Sequence, residues 1–489
     1  MRTTILFFIF IFTSKSIFAS FQMNDNMRNS YSHIINLEFS FAMQLISLER
    51  KNNPDNRIIT LQENYIDFLK IIIGEDEKIF VNAKNKKSDR INFLKEGDKN
   101  SPYYLYSQAE LHLQWAFARI KFEEYLTAAY ELQKAYYLFE KNQQFFPEFK
   151  LNKKGLGLLH TLVGAIPQKY KWIVSLTSME GSVSAGLKEL KSLLIDQEMR
   201  LYRDELLFMI SFLQLNLTND ELAYKYLLNE IGQGYLESYL LNFTASRLAY
   251  ALGENELTIN ILEKKPSSDG KYPVYYLDYL QGMSLLYKLD FNKAEYYFNR
   301  FLRKFKGKNY VKSAYHKLGL IAFLRNDHNL KIKFFKKVNS EGISIIDEDK
   351  VALKEAKADF FTNQSLLSAR FLYDGGYYDK ALVQLNSFSE VSYSGFYDEY
   401  WYRLSRIHYK LGYDSDHIIE NFKKSFDIGR GSSNYFAAMS ALQIAFIYEN
   451  RNDYVNAKLY FDQCLSLTDF DYQRGIHQKA KLGLARILN

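Results

Sequence analysis

Residues 435–467 read YFAAMSALQIAFIYENRNDYVNAKLYFDQCLSL, and this segment shows most clearly how the chain is built. It contains two runs with apolar residues at every third or fourth position, separated by the turn sequence Arg-Asn-Asp at 451–453. The first run carries the small residue Ala445; Ala457 follows twelve positions later, and Phe461 four positions after that. Small residues let two antiparallel helices approach closely where they cross, and a large residue fills the groove beside them. The stretch therefore predicts a tightly packed helical hairpin.

The same spacing recurs along the chain, with registers 35, 36 and 37 residues apart between positions 211 and 319. Two occurrences are imperfect, because one has Lys331 at a position that is normally small and another needs one inserted residue before Ile418. The eight occurrences are Ala116–Ala128–Leu132, Ser211–Ala223–Leu227, Ser246–Thr258–Leu262, Gly282–Ala294–Phe298, Gly319–Lys331–Phe335, Ala369–Ala381–Leu385, Ser405–Ile418–Phe422 and Ala445–Ala457–Phe461.

This pattern resembles the tetratricopeptide repeat family over about 300 residues, with turns somewhat longer than in its basic repeat of roughly 34 residues. The resemblance implies an all-α fold in which helix pairs stack into an α-α superhelix, a solenoid with a concave surface lined by the first helices. The family's tryptophan near each repeat start and proline near each end are mostly missing, and no proline follows Pro273. The alternative is an irregular helical array of another kind.

Residues 145–200 depart from the spacing and hold five of the 23 glycines: Gly155, Gly157, Gly164, Gly181 and Gly186. Such clustering predicts tight helix crossings or left-handed turns, and a helix is expected from Pro167 through Trp172. This segment weakly resembles one in a eukaryotic tetratricopeptide family that includes a mitochondrial-outer-membrane protein linked to inclusion clearance. That resemblance supplies no catalytic residue and no location for this chain.

Composition excludes several classes of protein. The chain has one cysteine, Cys464, so it can form neither an internal disulfide nor a cysteine-based metal site. Its 23 glycines and 6 prolines among 489 residues are too few for a many-turned β-sandwich or barrel. Aromatic residues make up 16% of the chain, which excludes disorder. Cys464 occupies an apolar helix position, which predicts a buried thiol.

The N-terminus has the pattern of a secretory signal peptide: Arg2, an apolar run at 5–12, and a small residue at Ala19. Export is therefore expected, to the periplasm of a Gram-negative bacterium or to the medium, with no transmembrane segment after cleavage. The predicted organisation is a signal peptide at 1–19, an N-terminal helical domain with degenerate repeats at 20–200, including the irregular segment at 145–200, and tetratricopeptide-like repeats with a C-terminal capping helix at 201–489.

No motif in the sequence carries chemistry. The eight histidines form no metal-ligand spacing, and no Gly-x-Ser-x-Gly elbow is present. Gly155-Leu-Gly157 lacks the third glycine and the preceding strand of a dinucleotide fingerprint. A net charge of +7 over more than a hundred charged residues is too weak for a typical nucleic-acid binder. We expect no catalytic residue, cofactor, metal or nucleic-acid partner.

The interpretation is a non-enzymatic scaffold or adaptor that binds a protein or peptide, within a bacterial envelope assembly. The alternative is a periplasmic protein that binds a glycan or small ligand with aromatic groove residues. Rigid aromatics and arginine dominate binding hot spots. At the expected groove-lining positions, the predicted partner-binding residues are Tyr276, Tyr279, Tyr287, His316, Tyr402, Arg406 and Tyr409.

Overall fold

The computed structural model describes residues 20–166, 179–218, 220–358, 363–388 and 394–488. Within these ranges the chain forms α-helices, short 3₁₀ segments and turns, and no β-strand occurs there. The predicted all-α class is confirmed. The expected signal peptide at 1–19 and the helix expected from Pro167 lie outside the described residues.

The described residues belong to two compact units. Unit 1 falls within Met1–Thr244 and Lys265–Val274, and unit 2 within Ala245–Lys264 and Tyr275–Asn489. The segment at 265–274 is held in unit 1 by Lys271, which pairs with Glu38, and by the Tyr272 amide, which donates to the Leu37 carbonyl at 2.8 Å. The boundary between the two units is defined by how compactly the helices pack. The predicted start of the repeats at residue 201 is defined by the spacing of residues in the sequence, so the two boundaries need not coincide.

Unit 1 is built mainly from helices that pair with their neighbours in sequence. Its helices are α1 (Asp25–Ile35), α2 (Phe39–Asn52), α3 (Ile58–Gly74), α4 (Glu77–Lys95), α5 (Pro102–Lys121), α6 (Tyr125–Phe145), α7 (Leu151–Gly164), α8 (Val183–Leu194), α9 (Arg203–Leu217) and α10 (Glu221–Ile231), with 3₁₀ segments at Gln197–Tyr202 and Gly232–Leu236. The next helix, α11 (Tyr239–Ala251), begins in unit 1 and ends in unit 2.

Unit 2 continues with helical hairpins. Its further helices are α12 (Asn255–Glu263), α13 (Tyr276–Tyr287), α14 (Phe291–Lys304), α15 (Val311–Leu324), α16 (His328–Ser340), α17 (Asp347–Lys357), α18 (Gln364–Asp374), α19 (Tyr378–Asn386), α20 (Tyr397–Lys410), α21 (Ser415–Gly429), α22 (Phe436–Asn450), α23 (Tyr454–Ser466) and α24 (Gln473–Leu488), with a 3₁₀ turn at Ser394–Phe396. Hairpins form from α11 through α16 and from α18 through α23, while α17 and α24 have no second helix among the described residues.

The small-to-large spacing corresponds to direct packing within each hairpin. A Cβ atom placed on Gly319 would lie 2.6 Å from the Phe335 ring, and one on Gly282 would lie 2.9 Å from the Phe298 ring. These distances are shorter than real Cβ contacts, so the phenylalanine fits only because the facing residue is small. The predicted helix-pair repeat is therefore confirmed in its geometry.

Lys331, the residue that breaks the small-residue rule, keeps its aliphatic stem within the α15–α16 hairpin. Its ammonium group lies 5.3 Å from the centre of the Phe335 ring and 5.6 Å from that of Phe323. A lysine is tolerated there because its stem covers apolar surface while its charge faces aromatic rings.

Two of the turns between paired helices use the same local device. Asn326 and Asn452 adopt left-handed backbone conformations, with φ of 60° and 59°. The following residues, Asp327 and Asp453, accept hydrogen bonds from amides in the first turn of the next helix. A left-handed residue ends one helix and an aspartate cap starts the next, which fixes the direction of each hairpin.

The glycine-rich segment forms the tight crossing that its composition predicted. A Cβ atom on Gly186 of α8 would lie 2.5 Å from the carbonyl oxygen of Gly157 on α7. Gly155, on the same helix, lies against the ring of Phe139. Close backbone approach at these points leaves no room for a larger residue.

The burial predicted for Cys464 is confirmed. Cys464 is fully buried in the core of α22–α24, and burial raises the pKa of its thiol to about 12. Within the described parts of the chain, no helix has both the length and the apolarity required to cross a bilayer.

Candidate functional site

The first helices of unit 2 carry a band of charged and aromatic side chains. In each hairpin the small residue of the first helix faces the second helix, and the residue after it is rotated by about 100° around the helix axis. Arginine occupies that next position in three hairpins, as Arg247, Arg370 and Arg406. We call this band the first-helix strip. Its members, all partly exposed, are Arg247, Tyr250, Tyr276, Tyr287, Tyr310, Lys317, Arg370, Tyr373, Asp374 and Arg406.

One end of the strip is a network of tyrosines around an arginine. Arg247 donates to the hydroxyl of Tyr276 at 2.7 Å, and the ring of Tyr276 lies 4.8 Å from that of Tyr310. Beside them, Tyr250 and Tyr287 stack with ring centres 5.6 Å apart and hydroxyls 2.8 Å apart. Burial raises the pKa of Tyr250 and Tyr287, so these phenols stay protonated and able to donate.

The centre of the strip combines cations with carboxylates. Arg370 Nε lies 3.8 Å from Asp374 Oδ2, and His316 Nε2 lies 2.8 Å from Glu355 Oε2. The pKa of Lys317 is lowered to about 8 by burial together with the charge of Arg370, against the opposing charge of Glu355. Burial alone would raise the pKa of Glu355, but contact with His316 and the charges of Arg370 and Lys317 lower it to about 2. Glu355 is therefore anionic at neutral pH.

The other end of the strip is organised by Arg406. Its guanidinium carbon lies 4.1 Å from the centre of the Tyr373 ring and 5.5 Å from that of Tyr402. Cation–π contacts of this kind contribute roughly 0.5–2 kcal/mol, depending on exposure. Burial raises the pKa of Tyr402 to about 12. Tyr409 follows on the same helix and is 49% exposed, so it offers a ring to solvent next to the arginine.

Four of the seven predicted partner-binding residues remain accessible. Tyr276, Tyr287 and Arg406 belong to the strip and are partly exposed, and Tyr409 is the most exposed of the set. The structure thus brings Tyr276 and Tyr287 together at one end of the strip and Arg406 and Tyr409 at the other.

The remaining three, Tyr279, His316 and Tyr402, are buried, with exposed fractions of 3%, 1% and 2%. The Tyr279 hydroxyl shares a hydrogen bond of 2.8 Å with Ser313 Oγ, and Tyr402 packs 6.2 Å from the Phe422 ring. These side chains hold helices together and offer a partner almost no area. That all seven bind a partner stays a prediction.

Arg247, Lys317 and Arg370 were not among the residues predicted from the sequence, because mainly aromatic residues were expected at the groove-lining positions. A signal was present, since arginine follows the small residue in three hairpins. No comparable signal marks Lys317, whose neighbours Glu355 and Arg370 come from other helices.

A second group of polar side chains lies inside unit 1. Lys154 Nζ is 2.8 Å from Glu205 Oε2 and 3.6 Å from Glu110 Oε1, and Tyr31 and Tyr65 donate hydrogen bonds to Glu205. Burial raises the pKa of Glu205 to about 7. The group borders a cavity of about 20 Å³, which is room for a single water molecule. We interpret it as a structural cluster in which Lys154 and Glu205 form an ion pair once the carboxyl is ionised.

Among the described residues, no three histidine, cysteine, aspartate or glutamate side chains are grouped so that they could hold a metal ion. His160, in the glycine-rich segment, has its Nδ1 2.8 Å from Glu189 Oε2.

Comparison with known proteins adds little to this geometry. No protein-family model matches the chain, and no curated protein does. Fifty-six chains of solved structures match. One belongs to the crystal structure of the APC/C hetero-tetramer Cut9-Hcn1, at 11% identity, covering 94% of this chain and 95% of that chain, with a TM-score of 0.27. The helix pairs of unit 2 are tetratricopeptide-like. The internal packing of each pair, with a small residue facing a large one, gives them this character.

Proposed function

We propose that this chain is a non-enzymatic scaffold that binds a segment of a protein partner along the first-helix strip of unit 2. The observation that carries the proposal is the set of three arginines, Arg247, Arg370 and Arg406, at one repeat position and in contact with tyrosines or carboxylates. Arginine and tyrosine are the residue types most enriched at binding hot spots. Tyrosine also provides a large, stiff contact area at low entropic cost.

The charge and exposure of the strip support a protein partner. Its residues are partly exposed, so neighbours hold them in place while part of each residue remains accessible to a partner. A guanidinium group carries five N–H donors. The contacts of Arg370 with Asp374 and of Arg406 with aromatic rings do not use all of them, so both arginines can donate further hydrogen bonds to a partner. A pre-positioned arginine loses less side-chain entropy on binding than a free one.

Site-specific photo-crosslinking in the native cell tests the proposal. A benzophenone amino acid replaces Tyr409, beside Arg406, and in a second strain it replaces Leu459 on the second helix α23. Both native side chains are 49% exposed, which makes Leu459 a matched control. We expect one defined protein adduct from position 409 and none from 459. Equal adducts from both positions, or none from either, would contradict a partner surface on the first helices.

Paired substitutions test the arginines themselves. Arg370→Ala with Arg406→Ala should reduce the adduct from position 409 at least tenfold. Arg325→Ala serves as the control, because Arg325 is bound to Glu295 and Asn292 of the second helix α14. If the yield of the adduct is unchanged in the double variant, the first-helix strip does not bind the partner.

Glycan binding is the second candidate function, and the stacked pair Tyr250 and Tyr287 favours it, because sugar rings bind to aromatic faces. Titration of the purified protein with an oligosaccharide library distinguishes the two. Saturable micromolar binding that is lost in Tyr250→Ala would replace the protein-scaffold proposal.

Export to the periplasm or the medium, and a place in an envelope assembly, are further parts of the proposal. They rest on Arg2, the apolar run at 5–12 and Ala19. N-terminal sequencing of the protein recovered from cell fractions tests them. A mature N-terminus at Ser20 in an exported fraction is expected, and an intact Met1 in the cytosol would refute export.

A further inference from the structure

The helix α17 (Asp347–Lys357) stands apart from the repeat. It follows the α15–α16 hairpin, has no second helix among the described residues, and packs mainly against the first helix α15. Its sequence, DEDKVALKEAK, places three acidic residues in the first turn. The helix therefore brings carboxylates to the side of unit 2 where the first-helix strip lies.

One of these carboxylates binds the start of α15. Asp349 is fully buried, and its two oxygens accept hydrogen bonds from the amides of Tyr310 at 2.7 Å and Ser313 at 2.8 Å. Amides in the first turn of a helix have no partner within the helix, and the helix dipole favours an anion there. Asp349 thus acts as a cap supplied by another helix.

Two further carboxylates, seven positions apart, face the strip. Seven residues make about two helical turns, so Glu348 and Glu355 share one face of α17. Tyr276, Tyr310 and Tyr250 raise the pKa of Arg247, and the negative charge of Glu348 adds to this effect. Burial raises the pKa of Tyr276, and Glu348 adds to that shift as well. Glu355 contacts His316 and acts on Arg370. One helix therefore delivers two negative charges to the strip.

Apolar contacts contribute little to holding α17 in place. Its buried apolar side chains are Ala352 and Ala356, and an alanine methyl group buries a small area, worth on the order of 1 kcal/mol or less. The three lysines, Lys350, Lys354 and Lys357, are all exposed. Val351 and Leu353 are half-buried, and Lys354 pairs with Asp471, so the acidic side chains share the attachment of this helix with these contacts.

The cations of the strip extend beyond the reach of α17. Arg406 is in contact with Tyr373 and Tyr402. Burial alone would lower its pKa, but the neighbouring Tyr402, Tyr373 and Asp374 raise it. A longer segment with carboxylates at two-turn intervals would reach Arg247, Arg370 and Arg406 together. The strip therefore matches a helix with an acidic face.

We propose that the partner segment is an amphipathic helix whose acidic face carries carboxylates two turns apart, and that α17 occupies the same surface as an internal competitor. This inference rests on the proposed function, because it names the kind of partner that the strip takes. In the free protein α17 neutralises part of the strip, and the partner helix displaces its carboxylates and continues to Arg406.

A peptide with the α17 sequence, IIDEDKVALKEAKA, labelled with fluorescein, is the probe. Its affinity for the full-length protein is measured by fluorescence anisotropy at low salt. Two variants loosen the attachment of α17. One is Glu355→Gln, and the other combines Glu355→Gln with Asp349→Asn. We expect the double variant to bind the peptide at least tenfold more tightly than the unsubstituted chain, and Glu355→Gln to lie between them. Hydrogen exchange at 347–357 should rise in the same order.

A control peptide carries glutamine in place of both glutamates and asparagine in place of the aspartate that corresponds to Asp349. It should bind at least tenfold more weakly, and Arg370→Ala in the double variant should weaken the acidic peptide by a similar factor. Equal affinity for the two peptides, or no binding to any variant while circular dichroism shows intact helices, overturns the inference.

The same materials separate this inference from the proposed function. If the adduct from position 409 forms but the acidic peptide does not compete with it, the partner surface stands and the acidic-helix inference fails. If the peptide binds but position 409 gives no adduct, the competition with α17 stands and the proposed partner surface fails.

Discussion

Lys154 lies with its ammonium nitrogen 2.8 Å from Glu205 Oε2 in the interior of unit 1, although the two residues are 51 positions apart. The lysine is 2% exposed and the glutamate 7%. A buried charge is tolerated only when a partner of opposite charge is in place. This pair therefore joins α7, in the glycine-rich segment, to α9.

At pH 8, where Glu205 is ionised, replacing Lys154 with methionine should destabilise unit 1 by about 3–5 kcal/mol, because Glu205 and Glu110 would be left buried without their cation. Urea unfolding followed by circular dichroism measures the change. Lys150→Met is the control, since Lys150 forms its ion pair with Asp196 near the surface and its loss should have a much smaller effect. A Lys154→Met protein as stable as its parent would mean that the pair contributes nothing.

Stability should fall between about pH 4.5 and pH 7 through Glu205. Burial raises the pKa of this carboxyl to about 7 in the folded chain, against about 4.5 in the unfolded one. The folded state holds the proton through this window and the unfolded state does not, so the free energy of unfolding decreases as pH rises. The contribution is up to about 3 kcal/mol. Glu205→Gln should flatten this part of the profile, and an unchanged profile would contradict the assignment.

Gly186→Ala should destabilise the α7–α8 crossing by about 1–3 kcal/mol, because the new methyl group would meet the Gly157 carbonyl and the helices would have to separate. Gly475→Ala should instead stabilise the protein. A Cβ atom there meets nothing within 4 Å, and alanine favours a helix over glycine by up to about 1 kcal/mol. Thermal unfolding of both variants checks the pair, and a Gly186→Ala protein that melts at or above the parent temperature would show that the helices can move apart freely.

Lys317 should react with amine reagents at a lower pH than an ordinary lysine. Burial, with the nearby charge of Arg370, lowers its pKa to about 8, against roughly 10.4 for a lysine in an unfolded peptide. Competitive acetylation followed by mass spectrometry should show half-maximal reactivity of this residue near pH 8. The midpoint should return toward 10.4 in denaturant. A midpoint near 10 in the native protein would show that its ammonium group is well solvated.

The hairpins could be predicted from the sequence because their contacts are local. Gly319 and Phe335 are sixteen positions apart, and their spacing states both which helices pair and which residues meet at the crossing. The same holds for the tight glycine crossing in 145–200 and for the buried Cys464. The sequence did not reveal that Tyr279, His316 and Tyr402 are buried. Residues on the same face of a first helix can line an open groove or pack against another helix, and their spacing is the same in both cases.

The helical class, the position of each hairpin and the small residues at the crossings can be read from the sequence, since they depend on periodicity and on neighbours within about forty residues. Which hairpins lie side by side depends on contacts between distant residues, which are seen only in the folded chain. Asn255, for example, donates a hydrogen bond to the hydroxyl of Tyr377, 122 positions away. The first-helix strip depends on such distant packing, because Lys317, Glu355 and Arg370 come from three helices. Their charges perturb one another through space, and local sequence carries no record of that proximity.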